Sequence, residues 1–486
     1  IHRGVFFSSF LPLVGHLPPL LWPPLLYAPG PRKEGEGRGG LPMREPSSAP
    51  VATALCGEEG VKQLSGYYKI QDEGATDKEY FFWMAESQDS PSEDPLILWL
   101  TGGPGCSSTL ALLAENGPCT VNDDGETTTP NPSSWNSRAN VIWVDQPAGV
   151  GFSYGKAPGD FDHGEDAVGE DMFWFLQEFF ATHPEYASNP FYVFGESYGG
   201  HYAPSVAHRV WQGIKNGEGS VINLQGMGIG NGLTSPAIQY PFYTQMAVDN
   251  PYGVKAVSEN DAAIMRAYTP ACVALIDGCQ DVPEMCDDAQ SFCDEHMMAP
   301  YMLSGLNPYD VRKQCGDQGL CYDFSAIEKF LRLDSTREAL NVRDDSAPWE
   351  SCNMKVNSDF SGDWMREFDG LIGPMLEDGV SVLIYAGDCD WICNYMGNEA
   401  WTLSLNWAGG DGFRAAPQIE WSTDAAAAGL SRSYGGLTFL QVYEAGHMVP
   451  MDQPEVALTM LNAFVHEDAR PFEQPLPAGG ESATVS

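Results

Sequence analysis

The chain has 486 residues, 43% hydrophobic and 12% aromatic, enough to bury the core of one large catalytic domain or two to three smaller ones. Its 66 acidic and 25 basic side chains leave a formal charge of −41, which repels nucleic-acid phosphates and anionic lipid heads and excludes both as partners. The same balance suits an acidic compartment, where protonation relieves the self-repulsion, or a saline habitat.

In chain order, His2-Arg3 and the apolar stretch from Gly4 to Pro29 read as a secretory signal or as a translated non-native leader. Pro12, Pro18, Pro19, Pro23 and Pro24 argue against a membrane-spanning helix there. Residues 30 to 50 are polar and Gly/Pro-rich, so residues 1–50 read as a leader plus a low-complexity segment, with order expected from about Cys56. SGYYKI and KEYFFWMAES then read as a strand hairpin. PLILWL, ANVIWVDQ and FYVFG are continuous apolar runs, the pattern of strands covered on both faces. DAVGEDMFWFLQEFFATH has helical periodicity through Val168, Met172, Leu176 and Phe179, and HYAPSVAHRVWQGIKNG reads as a second helix. INLQGMGIGNG, SVLIYAG and LTFLQVYEAG supply further strands, and the alternation predicts a doubly wound, mostly parallel sheet. From about Thr234 to Pro348 no strong strand signal appears, while Cys272, Cys279, Cys286, Cys293, Cys315 and Cys321 cluster there. This predicts a disulfide-stapled, largely helical lid inserted into a single catalytic domain over residues 51–466, followed by a flexible tail at 467–486.

The stretch GESYGGHYAP fits G-x-S-x-G between a predicted strand and a predicted helix. That context favours Ser197 as the nucleophile of a strained strand-to-helix turn over an ordinary turn serine. SVLIYAG runs into Asp388-Cys389-Asp390 and LTFLQVYEAG into His447, giving the order Ser, Asp, His of the α/β-hydrolase fold. His447 would take the serine proton and an aspartate would hold its tautomer, with Asp388 and Asp390 both open on spacing. His201, four residues past the serine, is a rival base, although an elbow points its serine away from the following helix. The loop WLTGGPGCSS after an earlier strand supplies an oxyanion site from the amides of Gly103 and Tyr198. No HExxH or CxxC pair appears, so neither a metal nor a cofactor is expected.

WLTGGPGCSS, WVDQPAGVGFSY, GESYGGHYAP, YAGDCDWICNYMGN and EAGHMVPMDQP together resemble the serine carboxypeptidases, from about Ser65 to Val465. The resemblance implies a triad of Ser197, Asp390 and His447 with oxyanion amides at Gly103 and Tyr198. It pairs Glu196, beside the serine, with Glu115 of LLAENGP, to bind the substrate's terminal carboxylate together with Thr101 and Gly102. Two close carboxyls cannot both ionise cheaply, so one keeps a proton to high pH and can donate a hydrogen bond to the substrate's terminal carboxylate. Thr101 departs from the family's Asn; a hydroxyl offers one donor where an amide offers two, so carboxylate affinity is expected to be weaker. Cys393 and Met448 match positions lining the substrate pocket. The implied disulfides are Cys106–Cys352, Cys315–Cys321, Cys272–Cys293 and Cys279–Cys286, with Cys56–Cys119 as a pairing of leftovers; Cys389 has no assigned role.

The reading is therefore a serine carboxypeptidase releasing C-terminal amino acids at acid pH through an acyl-enzyme. Its partners would be peptides or proteins with free C-termini, and the resemblance adds a homodimer. Twelve cysteines point to the secretory route, ending in a vacuole, a lysosome or outside the cell. The alternatives are an acyltransferase with the same triad and a protective or scaffold protein.

Overall fold

A computed structural model of the chain describes residues 48–53, 55–57, 60–70, 77–317, 319–423, 426–466 and 472. The leader, the low-complexity segment up to residue 47 and nearly all of the tail lie outside the described residues.

Eleven strands make one sheet: β1 (Ser48–Thr53), β2 (Gln63–Lys69), β3 (Glu79–Ala85), β4 (Leu96–Thr101), β5 (Asn140–Val144), β6 (Phe191–Glu196), β7 (Leu224–Gly230), β8 (Ser381–Gly387), β9 (Ile419–Ser422), β10 (Ala427–Tyr434) and β11 (Leu437–Val442). Their order is β1-β2-β3-β5-β4-β6-β7-β8-β11-β10-β9. The strands from β5 to β11 in that order pair in parallel, and antiparallel strands close both edges. The continuous apolar runs are the central strands because helices cover both faces. Along β4, Leu96, Leu98 and Leu100 face one buried layer while Ile97 and Trp99 face the other, the period-two alternation of a strand. The first layer is closed by α1 (Glu165–Thr182) and α2 (Gly199–Asn216), through Val168, Met172, Phe173, Val206 and Val210. The second is closed by the helical stretch 108–116 and a C-terminal helix, Pro454–Val465, through Leu110, Leu112, Met460 and Leu461.

Three elements differ from the sequence reading. Order begins before Cys56, because β1 pairs with β2; a short proline-bearing stretch at the end of a polar segment shows no strand signal until an edge ladder is offered to it. The edge hairpin β9–β10 carries too little alternation to be seen alone. The lid is mainly helical, with Glu259–Asp281 and Cys286–Cys293 packed around a core of Met265, Ile276 and four half-cystines. It also holds a small hairpin of Leu306–Asn307 with Asp310–Gln314. Disulfides join Cys56–Cys119, Cys106–Cys352, Cys272–Cys293, Cys279–Cys286 and Cys315–Cys321, leaving Cys389 and Cys393 free and buried. Among the described residues no helix is long and apolar enough to cross a membrane.

Candidate active site

The chemistry-bearing residues emerge where parallel strands end. Ser197 follows β6 at φ 63°, a left-handed backbone that a non-glycine residue adopts only when its surroundings compel it. Here its N–H donates to the Gly230 carbonyl at 3.0 Å and its carbonyl accepts from Leu233 N–H at 2.9 Å. Gly195 is required two residues earlier, since a Cβ there would lie 2.4 Å from the Gly199 oxygen.

His447 lies five residues past β11, its backbone N–H donating to the Tyr309 carbonyl at 2.8 Å. Its Nδ1 lies 2.8 Å from Asp390 Oδ2, an arrangement in which Nδ1 carries the proton and Nε2 has its lone pair free. Asp390 is fully buried and is held by the Ile392 N–H at 3.1 Å and the Asn231 amide at 2.8 Å. Of the two aspartates left open by spacing, Asp390 is the one within hydrogen-bond distance of His447. Asp388 is used otherwise, accepting from the Tyr252 hydroxyl at 2.7 Å and from Glu444 N–H at 2.9 Å. Cys389 is buried against Asp388, with its thiol 3.4 Å from Oδ1, and burial pushes that thiol's pKa up.

His201 is not placed as a base. Its Nδ1 meets the Leu233 carbonyl at 2.6 Å, its ring stacks on Tyr198, and burial lowers its pKa to about 4. Asn231 was not legible as a site residue. It stands at the end of β7 with φ 42°, receives the Gly387 N–H on its Oδ1 at 3.1 Å and points its amide at Asp390. An Asn where a strand end needs positive φ is the only trace of it in the sequence.

Gly102 packs directly on the elbow: a Cβ there would lie 2.4 Å from the Tyr198 nitrogen and 2.5 Å from the Glu196 oxygen. Neither Gly103 N–H nor Tyr198 N–H has an acceptor recorded among the described residues. Tyr198 is the N-cap of α2, where amides lack intrahelical partners. A cavity of about 310 Å³ is lined by Gly102, Gly103, Ser197, Tyr198 and His447, and also by Thr101, Glu115 and Glu196. Its remaining wall is largely apolar, with Tyr243, Met298, Trp364, Ile392, Cys393 and Met448. Thr101 Oγ1 accepts from the Trp99 indole N–H at 3.0 Å, leaving its one hydroxyl proton to donate.

Glu115 and Glu196 are 4% and 3% exposed and act on each other electrostatically, and Oε2 of each is buried without a hydrogen-bond partner among the described residues. Loss of hydration raises the pKa of both; for Glu115 it reaches about 7, and for Glu196 the neighbouring Glu115 adds to the rise. A carboxyl pair of this kind holds a proton through the acid range.

Asp390, Cys393 and His447 also offer three ligand atoms within 4.8 Å of one another. They do not suit a resident metal: the Cys393 thiol is held protonated by burial beside Asp390, and Asp390 is already bound by His447 and Asn231.

Buried and half-buried acids outside the cavity follow the same rule. Burial raises Asp171 and Glu367 to about 7 and Asp145, Asp294 and Asp363 to about 6. An acid with a native pKa above its unfolded one contributes stability that is complete below about pH 4 and disappears as pH rises through the native value. Buried His183 and His201 and half-buried His208, whose pKa values are lowered, act in the opposite sense between about pH 4 and 6.5 but are fewer. The thermal midpoint should therefore be several degrees higher at about pH 5 than at about pH 8, measured by scanning fluorimetry. A midpoint that rises across that interval contradicts this balance.

The parallel sheet, the elbow after β6 and the residues at the ends of β8 and β11 define a hydrolase of the α/β class. The chain belongs to the serine carboxypeptidase family, whose family model matches residues 55–467. It is 43% identical over 405 residues to serine carboxypeptidase-like 48 of Arabidopsis thaliana, covering 82% of this chain and 77% of that one. It is 44% identical over 428 residues to carboxypeptidase Y of Schizosaccharomyces pombe, covering 84% of this chain but 41% of that longer protein. A prohormone-processing carboxypeptidase from Saccharomyces cerevisiae superposes with a TM-score of 0.73 at 27% identity, over 85% of this chain and 95% of that structure. The protein is thus a serine-type carboxypeptidase, and these matches favour hydrolysis over the acyltransferase reading.

Proposed function

We propose that the protein removes single amino acids from peptides with free C-termini at acid pH, through an acyl-enzyme on Ser197. His447 Nε2 takes the Ser197 proton as Oγ attacks the scissile carbonyl, and Asp390 stabilises the imidazolium that results. The amides of Gly103 and Tyr198 receive the developing oxyanion. His447 then hands its proton to the departing amine and activates the water that releases the acyl group.

The observation that carries this reading is the buried pair of Glu115 and Glu196, both with raised pKa values, in the wall of the cavity that holds Ser197. An acidic protein would repel a peptide's terminal carboxylate; a neutral carboxyl can donate to it. Thr101 and Gly102 complete that subsite, and Cys393 and Met448 line the pocket for substrate side chains. Incubation with an N-blocked dipeptide at about pH 5 should release only its C-terminal residue. Internal cleavage of longer peptides, or acyl transfer from an acyl glucose without peptide hydrolysis, overturns the reading.

Thr101→Asn tests the subsite by gain. The amide keeps an acceptor for Trp99 and adds a second donor. KM for a peptide with a free C-terminus should fall several-fold, with ester hydrolysis unchanged; an unchanged peptide KM contradicts Thr101 as part of the subsite.

Residues 51–466 are taken as the catalytic domain, with 234–348 as a lid. Tyr243, Met298, Tyr309 and Tyr322 of that segment in the cavity wall support a narrowed entrance. Five disulfides support passage through the secretory pathway to a vacuole, a lysosome or the exterior. The homodimer rests on the resemblance alone.

A further inference from the structure

The two halves of the oxyanion site come from different strands, β4 and β6, and a single short segment of the chain is bonded to both. Cys352 is disulfide-linked to Cys106 just past the glycine loop. The Ser351 carbonyl accepts from Ser107 N–H at 2.9 Å, and Asn353 N–H donates to the Gly105 carbonyl at 2.8 Å. The Asn357 amide donates to the Pro104 carbonyl at 3.2 Å. Six residues further on, Asp363 Oδ2 accepts the Tyr198 hydroxyl at 2.7 Å. Tyr198 has little freedom between its two ends: His201 stacks on its ring at 4.3 Å between centroids, and Tyr202, Trp364 and Phe360 pack against it at 5.2, 5.4 and 6.2 Å. A ring wedged in this way and hydrogen-bonded at its tip fixes the backbone of its own residue.

We infer that Asp363 is a positioning residue for the oxyanion site, holding the Tyr198 amide in place through the phenol of the same residue, while the Ser351–Asn357 stretch holds the Gly103 side. The inference rests on Tyr198 N–H being one of the two oxyanion donors. Asp363 never touches substrate. Its other oxygen accepts from Glu165 N–H at 3.3 Å at the start of α1, so a purely structural role as a helix cap is the alternative to be separated.

The test compares Tyr198→Phe, Asp363→Ala, their double variant and Asp363→Asn, each normalised by fluorophosphonate titration of Ser197, on one ester and one peptide. Tyr198→Phe and Asp363→Ala should each lower kcat about tenfold, since a small displacement of a transition-state donor costs rate. The loss should be equal on both substrates with KM unchanged, and the double variant should be no worse than the poorer single one. Asp363→Asn, which still offers a carbonyl to the phenol, should stay within about threefold of wild type. Titrated Tyr198→Phe retaining kcat within about twofold, or a loss confined to KM on the peptide, overturns the inference. If Asp363→Ala does not fold, Tyr198→Phe, which lacks a single hydroxyl, decides alone. Failure of the reading beneath is visible separately: wild type that hydrolyses a thiono ester as fast as its oxygen ester removes the oxyanion assignment, whatever the variants do.

Discussion

Ser197→Ala and His447→Ala should each lower kcat about 10⁴-fold or more, on esters and peptides alike, and the double variant should lose little beyond either single one. The reason is that the two side chains act as one device. Without Oγ there is no acyl-enzyme, and without Nε2 nothing removes the serine proton at the moment of attack. On the oxyanion assignment proposed above, what survives is stabilisation by the Gly103 and Tyr198 amides, which would still assist direct attack by water. Asp390→Asn should keep the fold, because Asn231 and the Ile392 amide hold that side chain in place, yet it should still cost several orders of magnitude by favouring the wrong imidazole tautomer. Burst kinetics with a nitrophenyl ester check this: wild type should release about one equivalent of nitrophenol per active site in the burst, and Ser197→Ala none. A burst that survives in Ser197→Ala would remove the nucleophile assignment.

The second large effect separates peptides from esters. Glu115→Ala/Glu196→Ala should lower kcat/KM on peptides with a free C-terminus about a hundredfold, the worth of a lost charge-assisted hydrogen bond to a poorly solvated carboxylate. Esters without that carboxylate should lose less than tenfold, since Ser197 and His447 are untouched. Glu115→Gln/Glu196→Gln makes the complementary prediction. Amides donate hydrogen bonds at every pH, so this variant should bind the substrate carboxylate where the wild type no longer can, once Glu196 as well as Glu115 has ionised. Steady-state kinetics on matched ester and peptide substrates decide the matter; equal losses on both would mean that the pair serves the fold or the triad rather than recognition.

Much of the architecture was legible because its signals are local. The runs around Leu98, Ile142, Val193 and Ile384 are too apolar to be anything but strands covered on both faces. The elbow follows from Gly195, Ser197 and Gly199 between such a run and a helical pattern. What was hidden depends on contacts between distant segments. β1 exists because β2 offers it a ladder, and the hairpin at 306–314 because the lid packs around it. Asn231 acquires its role only when β7 and β8 lie side by side and bring it to Asp390, 159 positions away. Glu115 and Glu196 are separated by β5 and α1, and only the resemblance joined them in advance. Four of the cysteine pairs likewise came from resemblance, not spacing, since several connectivities fit the same positions, and Cys56–Cys119 was paired only from what those four left over.

The central claim is that a proton shared by Glu115 and Glu196 lets this acidic protein grip the negative end of a peptide. The most direct measurement is the ratio of cleavage rates for two peptides differing only in a free or amidated C-terminus, followed from about pH 4 to about pH 9. The free peptide should be favoured at least about tenfold at acid pH, and the advantage should fall away only as the pair loses its second proton, that of Glu196, after Glu115 has ionised at about 7. A ratio that stays flat across that range, or one that favours the amidated peptide at about pH 5, would contradict the account.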